Sequence, residues 1–224
     1  MTSIIRHDPA LYANFPTLAT AALVVEGVDR LTAPDLDGVP HLDVARARLV
    51  DTTEGALPEI RAWRAAFTAT GLKPTQYRCA SESLLRRLRT QGDMPALHPL
   101  VDFGNAVSAA FALPLAIFDL DRVALPLIVT RAAGDERYVT FAGEEEHPEP
   151  GEIIFRDAEG WAHARRWTHR QSGRSAVRSW TRRALMVTEA LHDNAALDVE
   201  KVAVTLTEAL RAAGAQVDRI ATVD

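Results

Sequence analysis

The residues best suited to chemistry are concentrated in one run, Arg165-Arg166-Trp167-Thr168-His169-Arg170-Gln171-Ser172-Gly173-Arg174. Guanidinium forks suit carboxylates and phosphates, while Gln171 and Ser172 add neutral donors. Trp167 can stack on a side chain or a base, and His169 can position water. Read as a turn that leaves a strand and enters a helix at Val177, the run points to anion capture. Asp102 and Asn105 form a second polar pair, three residues apart on one helix face. Cys79 precedes an expected helix start, where thiol pKa values fall, but its small neighbours Ala80 and Ser81 favour packing over reactivity. None of the seven histidines has a partner at i, i+4, and His163 and His169 read as surface groups rather than a metal pair. Gly-x-Gly-x-x-Gly, a Walker loop and a Gly-x-Ser-x-Gly elbow are all missing. The residues call for no metal and no cofactor.

These groups need elements to hold them. Residues 17–28, rich in β-branched side chains near their end, predict an early strand. Val44, Ala45, Ala47, Leu49 and Val50 predict a short helix; Pro58 opens another, which buries Ile60, Trp63, Ala66 and Phe67 before Gly71. Ser81 is the expected N-cap of a helix over 82–90 that Gly92 closes, with Leu84, Leu85 and Leu88 inward. A helix over 99–111 should end before Leu113-Pro114. Short strands follow at 115–120, 123–130, 138–142, 152–155 and 161–167, close enough to require a mainly antiparallel sheet. Helical spacing returns over 177–192, Asp198 caps a last helix over 199–213, and 216–223 can pair onto a sheet edge. The class is α+β, a mainly antiparallel sheet flanked by helices with an N-terminal α/β extension. The expected layout is an extension over 1–70, a core over 71–192, and a C-terminal helix and strand over 193–224.

A chain of 224 residues with 47% hydrophobic and 25% charged residues is that of a globular protein. No apolar run reaches the roughly 20 residues of a membrane span, and the start lacks a basic segment followed by an apolar one. With one cysteine, a disulfide framework is ruled out. A cytoplasmic, reduced protein is expected. The net charge of −5 hides an uneven distribution. Residues 1–60 carry nine acids against four arginines, whereas 156–183 carry eight arginines against two acids. Such a chain can still show an anion a basic face.

Several segments resemble a known family. They are Lys73-Pro-Thr-Gln-Tyr-Arg, Ser83-Leu-Leu-Arg-Arg, His98-Pro-Leu-Val-Asp-Phe-Gly-Asn105, Leu113-Pro-Leu-Ala-Ile-Phe-Asp-Leu-Asp121, Pro150-Gly-Glu-Ile-Ile154 and Arg166-Trp-Thr-His-Arg-Gln-Ser172. In order and spacing, over roughly residues 70–192, they resemble the B3/B4 domain. That domain is the editing module of the phenylalanyl-tRNA synthetase β subunit, and it also occurs as free-standing proteins. The resemblance implies hydrolysis, in trans, of the ester joining a wrong amino acid to a tRNA 3′ end. Such a second pocket is needed where discrimination at synthesis is limited.

Val101-Asp102-x-x-Asn105 looks like the family's Val-Asp-x-Thr-Asn segment, with Gly104 in place of the usual threonine. The resemblance therefore gives Asn105 a catalytic place, and the chemistry of its own segment adds His169 as a second catalytic candidate that positions water. The resemblance makes Asp102, Trp167, Arg170, Gln171 and Ser172 substrate-binding. It makes Arg166, Arg174, Arg178, Arg86 and Arg87 contacts to RNA. Ala116 stands where the synthetase has a histidine, and the glutamate that reads the tyrosine hydroxyl has no clear counterpart. The expected partner is the aminoacylated tRNA end or an amino-acid-like ligand, with no DNA and no membrane. The competing reading is a non-catalytic binder of an amino acid, a metabolite or an RNA end. A small-molecule ester or amide hydrolase ranks last, since no nucleophile is recognisable.

Overall fold

The computed structural model describes residues 4–220. The first third contains β1 (Ile5–His7), α1 (Pro9–Asn14), β2 (Ala19–Glu26), α2 (Val39–Arg48) and α3 (Pro58–Ala69). Next come α4 (Ala80–Gln91), α5 (Pro99–Phe111), β3 (Leu115–Asp119), β4 (Leu127–Arg131), β5 (Tyr138–Val139) and β6 (Glu145–Glu146). The last third holds β7 (Ile153–Arg156), β8 (Ala162–Arg165), β9 (Arg170–Gln171), β10 (Arg183–Ala190), α6 (Ala195–Ala212) and β11 (Gln216–Ile220).

Proline opens α1, α3 and α5, where its missing N–H and fixed φ cost nothing. Two large sheets follow from the strand pairings, beside an antiparallel β5-β6 pair. One runs β11-β2-β10-β3 and is antiparallel throughout; the other runs β1-β4-β7-β8-β9 and has a single parallel pair, β1 with β4. Alternation along β2 and β10 divides their side chains between two cores. Ala21, Leu23, Val25, Ala184 and Met186 meet α5 and α6. Ala22, Val24, Leu185 and Val187 meet Leu127, Val129, Ile153 and Phe155 of the second sheet. The layers are therefore helix, four-stranded sheet, five-stranded sheet, with α3 and α4 adding Trp63, Phe67, Leu85 and Leu88 to the inner core. The α+β class and the mainly antiparallel pairing hold.

The expected helix over 177–192 is overturned: 183–190 is β10, a strand with β2 on one side and β3 on the other. Covered on both faces, its side chains need no alternation, and a continuous apolar run cannot be told from a buried helix by periodicity. The segment 172–182 that leads into it is not helical. Smaller corrections have local causes. Cys79, not Ser81, is the N-cap of α4. α6 begins at Ala195, so Asp198 lies in its first turn, where a carboxylate suits the helix dipole. β4 begins only after Pro126, which has no ladder donor. The strand expected at 138–142 stops at Val139, and β8 stops at Arg165, before a left-handed corner. Residues 221–223 of the expected final strand lie outside the described residues.

One close approach depends on a missing side chain. A Cβ at Gly173 would lie 2.6 Å from the Thr140 carbonyl oxygen and 3.1 Å from the Phe141 Cα, both backbone atoms that cannot rotate aside. Gly173→Ala is expected to cost about 1–3 kcal/mol, the range for forced overpacking. Urea unfolding checks it; an unchanged midpoint means the two segments are not held together.

Candidate functional site

The site begins at the corner after β8. Arg166 and Trp167 have φ of +47° and +58°, a left-handed conformation that costs residues with a Cβ on the order of 1–3 kcal/mol each. Glu152 holds the corner. Its carboxylate accepts from Arg165 Nε at 3.0 Å, Arg165 Nη2 at 3.1 Å and the Arg166 backbone N–H at 2.8 Å. Burial opposes its charge, but these donors keep its pKa below the ordinary glutamate value. The reversed corner sends Trp167 inward, where its ring meets Trp63 and Phe15 edge-on at 5.0 Å. Its indole N–H donates to Glu189 Oε2 at 3.0 Å.

Glu189 is the next-to-last residue of β10 and is 1% exposed. Its Oε1 lies 2.6 Å from Nε2 of His7, at the end of β1. A carboxylate only accepts, so His7 carries a proton on Nε2. Each Glu189 oxygen keeps a free lone pair.

Trp167, Val187, Glu189, Pro114, Leu115 and Ala116 line a cavity of about 60 Å³ together with Ala80, and Val187 of β10 lies directly beside Ala116 of β3 in the sheet. His169, Arg170 and Gln171 complete it. Gln171 Nε2 donates to the Ile117 carbonyl at 2.6 Å, which pins β9 to the edge of β3. Arg170 is exposed, with Glu146 only 3.9 Å away. His169 Nδ1 is 2.7 Å from the Arg78 carbonyl oxygen, and its ring lies edge-on to Tyr77. Since a carbonyl can only accept, Nδ1 holds the proton and Nε2 keeps its lone pair. Burial, with Arg166 and Arg170 nearby, holds the ring below its ordinary pKa of 6.5 against the opposing Arg78 bond and Glu152. His169 is a neutral, oriented base.

The model of the B3/4 domain family matches residues 62–215. The chain belongs to that family. Among solved structures, the fold is similar to an N-terminal fragment of the phenylalanyl-tRNA synthetase beta-subunit from Pyrococcus horikoshii, with a TM-score of 0.56 and 13% identity. That likeness covers all of this chain and 55% of the other. No curated protein matches.

This B3/4 domain distributes the expected site residues unevenly. Trp167, His169, Arg170 and Gln171 meet at the cavity, and Ala116 gives it a methyl group. Asn105 is half-buried on α5, is not among the lining residues, and makes no side-chain hydrogen bond among the described residues. Asp102 is occupied locally, accepting from the Leu97 N–H at 2.9 Å and the His98 N–H at 3.4 Å. Ser172 is buried and bonds the Val139 carbonyl at 2.8 Å and the Arg174 N–H at 3.2 Å, so it shapes the turn.

The arginines have separate settings. Arg166 lies over the Tyr77 ring at 4.5 Å, along a groove of about 350 Å³ outside the cavity. Arg86 faces Glu54 at 3.6 Å, and Arg87 lies half-buried one residue further along α4. Arg174 packs on Trp161 at 4.1 Å, while Arg178 is exposed beside Phe141. No helix follows this run, so the helix-terminus argument for anion capture falls away.

Sequence reasoning missed Glu189 and His7. The available signal was one carboxylate inside the apolar run 184–191, which must be paired if buried. His163, taken for a surface group, is wholly buried between Asp157 (3.0 Å) and Ser175 (2.8 Å). The three have the identities of a hydrolytic triad, yet each is fully buried, so substrate has no access and the trio serves packing. Burial pushes the Cys79 thiol up to about 12, in keeping with an inert packing role. Among the described residues, Glu59, His192 and Asp198 bring potential metal ligands within 4.8 Å of one another. Arg48 on Glu59 (2.7 Å) and Lys201 on Asp198 (2.8 Å) already balance the two carboxylates. A cation there would meet like charge.

Proposed function

We propose that this B3/4 protein is a cytoplasmic, trans-acting aminoacyl-tRNA deacylase. One observation carries the reading: a neutral histidine with a free Nε2 shares the wall of a small cavity with a buried carboxylate. Since position 116 is alanine, the base is His169 instead. Nε2 of His169 takes a proton from water as the water oxygen attacks the ester carbonyl; the ester C–O bond then breaks, and the proton passes to the departing ribose hydroxyl. Glu189 accepts a hydrogen bond from the ammonium group or side-chain hydroxyl of the acyl residue. Arg170, at the mouth, meets the terminal phosphate. Asn105, away from the wall, has no step assigned to it. Among the described residues no helix is long and apolar enough to cross a membrane.

The cavity's size argues for selectivity. A single water needs about 10–15 Å³ of such space, so about 60 Å³ admits a few waters or a short side chain. The test is a full set of mischarged tRNAs. Small hydroxyl-bearing or aliphatic acyl groups should be released much faster than tryptophanyl, whose indole exceeds the space. Release at the spontaneous rate across the whole set rules the reading out.

The alanine at 116 favours a second reading, a non-catalytic amino-acid binder. A ligand at about 100 times its dissociation constant should then add roughly 2.7 kcal/mol of stability without turnover.

A further inference from the structure

We propose that Phe141 and Trp180, with Arg178 and Arg182, form a stacking platform beside the cavity for the single-stranded nucleotides that precede the acylated RNA end. The proposal rests on the reading above that the ligand is an RNA 3′ end. Phe141 and Trp180 are 62% and 65% exposed, so both rings present a face to solvent. A short turn sets Trp180 two residues from Arg178, the residue that reaches the Phe141 ring. The Thr181 N–H donates to the Arg178 carbonyl at 3.0 Å, and the Arg178 N–H returns to Thr181 Oγ1 at 3.0 Å, which leaves Trp180 at the tip. Thr181 Oγ1 also donates to buried Asp119 at 2.7 Å, anchoring the turn to the end of β3. The first residue of the turn, Arg178, sets its guanidinium 6.0 Å from the Phe141 ring.

The platform adjoins the cavity. Gln171 lines the cavity, and two residues later Gly173 packs against the Thr140–Phe141 backbone. Two residues of extended chain span at most about 7 Å.

Charge selects the partner. Residues 170–183 contain Arg170, Arg174, Arg178, Arg182 and Arg183 and no acid, and of these Arg170 faces Glu146 while Arg183 faces Glu26 and Asp121. Arg178 and Arg182 are exposed and make no ion pair among the described residues. Every base offers a π-face to an aromatic ring, and unpaired guanidinium groups meet the phosphates between them.

The probe is uncharged, fluorophore-labelled tRNA, compared with the same tRNA trimmed of its single-stranded 3′ nucleotides. Phe141→Ala and Trp180→Ala should each weaken binding of the intact tRNA by about tenfold and leave the trimmed form unaffected. Arg178→Gln with Arg182→Gln should flatten the dependence of log affinity on log salt by about 1.4, or about 0.7 per phosphate contact. Leu197→Ala, on α6, serves as a control at wild-type affinity, and circular dichroism verifies folding. Aromatic variants that bind intact tRNA within twofold of wild type overturn the platform. So does a dimer in solution that Trp180→Ala dissolves, which would make the patch a protein interface. Platform-dependent RNA binding without hydrolysis of any charged tRNA would sink the deacylase reading alone. Hydrolysis with unchanged KM in both aromatic variants would sink the platform alone.

Discussion

Glu152→Ala is expected to cost about 3–5 kcal/mol and to open the cavity, although Glu152 does not line it. The Glu152 and Arg165 side chains are 4% and 5% exposed. Removing one partner of a buried pair strands the other charge in a poorly solvating place, and that penalty sets the size of the loss. Glu146, 2.6 Å from Arg165 Nη1, stays behind and moves the expected value toward the lower end. The loss has a second part. Glu152 also receives the Arg166 N–H at 2.8 Å, so the left-handed corner at Arg166 and Trp167 loses the contact that holds it. Trp167 is then free to leave Glu189. Urea unfolding gives the stability and tryptophan fluorescence the environment of the corner. A loss below about 1 kcal/mol with unchanged emission would show that the corner does not depend on this carboxylate. Since the charged form is favoured in the fold, Glu152 stabilises above the ordinary glutamate pKa and loses that contribution as pH falls through its lowered value. The corner should therefore loosen as pH falls through that value.

The second large effect is on rate. With His169 as general base, His169→Gln should lower kcat for a mischarged tRNA by about 10²–10⁴-fold, the usual contribution of a positioned proton acceptor. Glutamine can keep a hydrogen bond to the Arg78 carbonyl but cannot take the proton, so KM should move little. The pH profile adds a check that a purely structural histidine would not satisfy. Activity needs the neutral ring, whose pKa is held below 6.5. The wild-type rate should thus reach half of its plateau only below pH 6.5. A variant within threefold of wild type would remove His169 from the chemistry.

Much of this architecture is legible in the residues, and the illegible parts share a cause. Helix α5 is marked at both ends, by Pro99 in its first turn and by the Leu113-Pro114 break, and it forms over 99–111 as expected. Pro58 and Gly71 frame α3 in the same way. Local chemistry writes such boundaries. The identity of β10 is not local: it follows from β2 and β3 lying on either side. The site divides along the same line. Trp167, His169, Arg170 and Gln171 reach the cavity together because one short segment carries them all. Glu189 pairs with His7 across 182 residues, and no spacing rule reaches that far. Asn105 shows the converse, since a motif fixes the residue types on a helix face without fixing what that face looks upon.

The partnership of His7 with Glu189 also bears on how the molecule is made. β1 carries His7 and needs β4, more than a hundred residues later, for its strand pairing. At synthesis rates of about 5–20 residues per second, His7 leaves the ribosome roughly ten to forty seconds before Glu189. For that interval the nascent chain has no finished pocket, and its opening strand presents an open edge to any extended neighbour. The cavity is complete only once Glu189 has emerged, so polypeptides released before that point would lack it and be prone to stick.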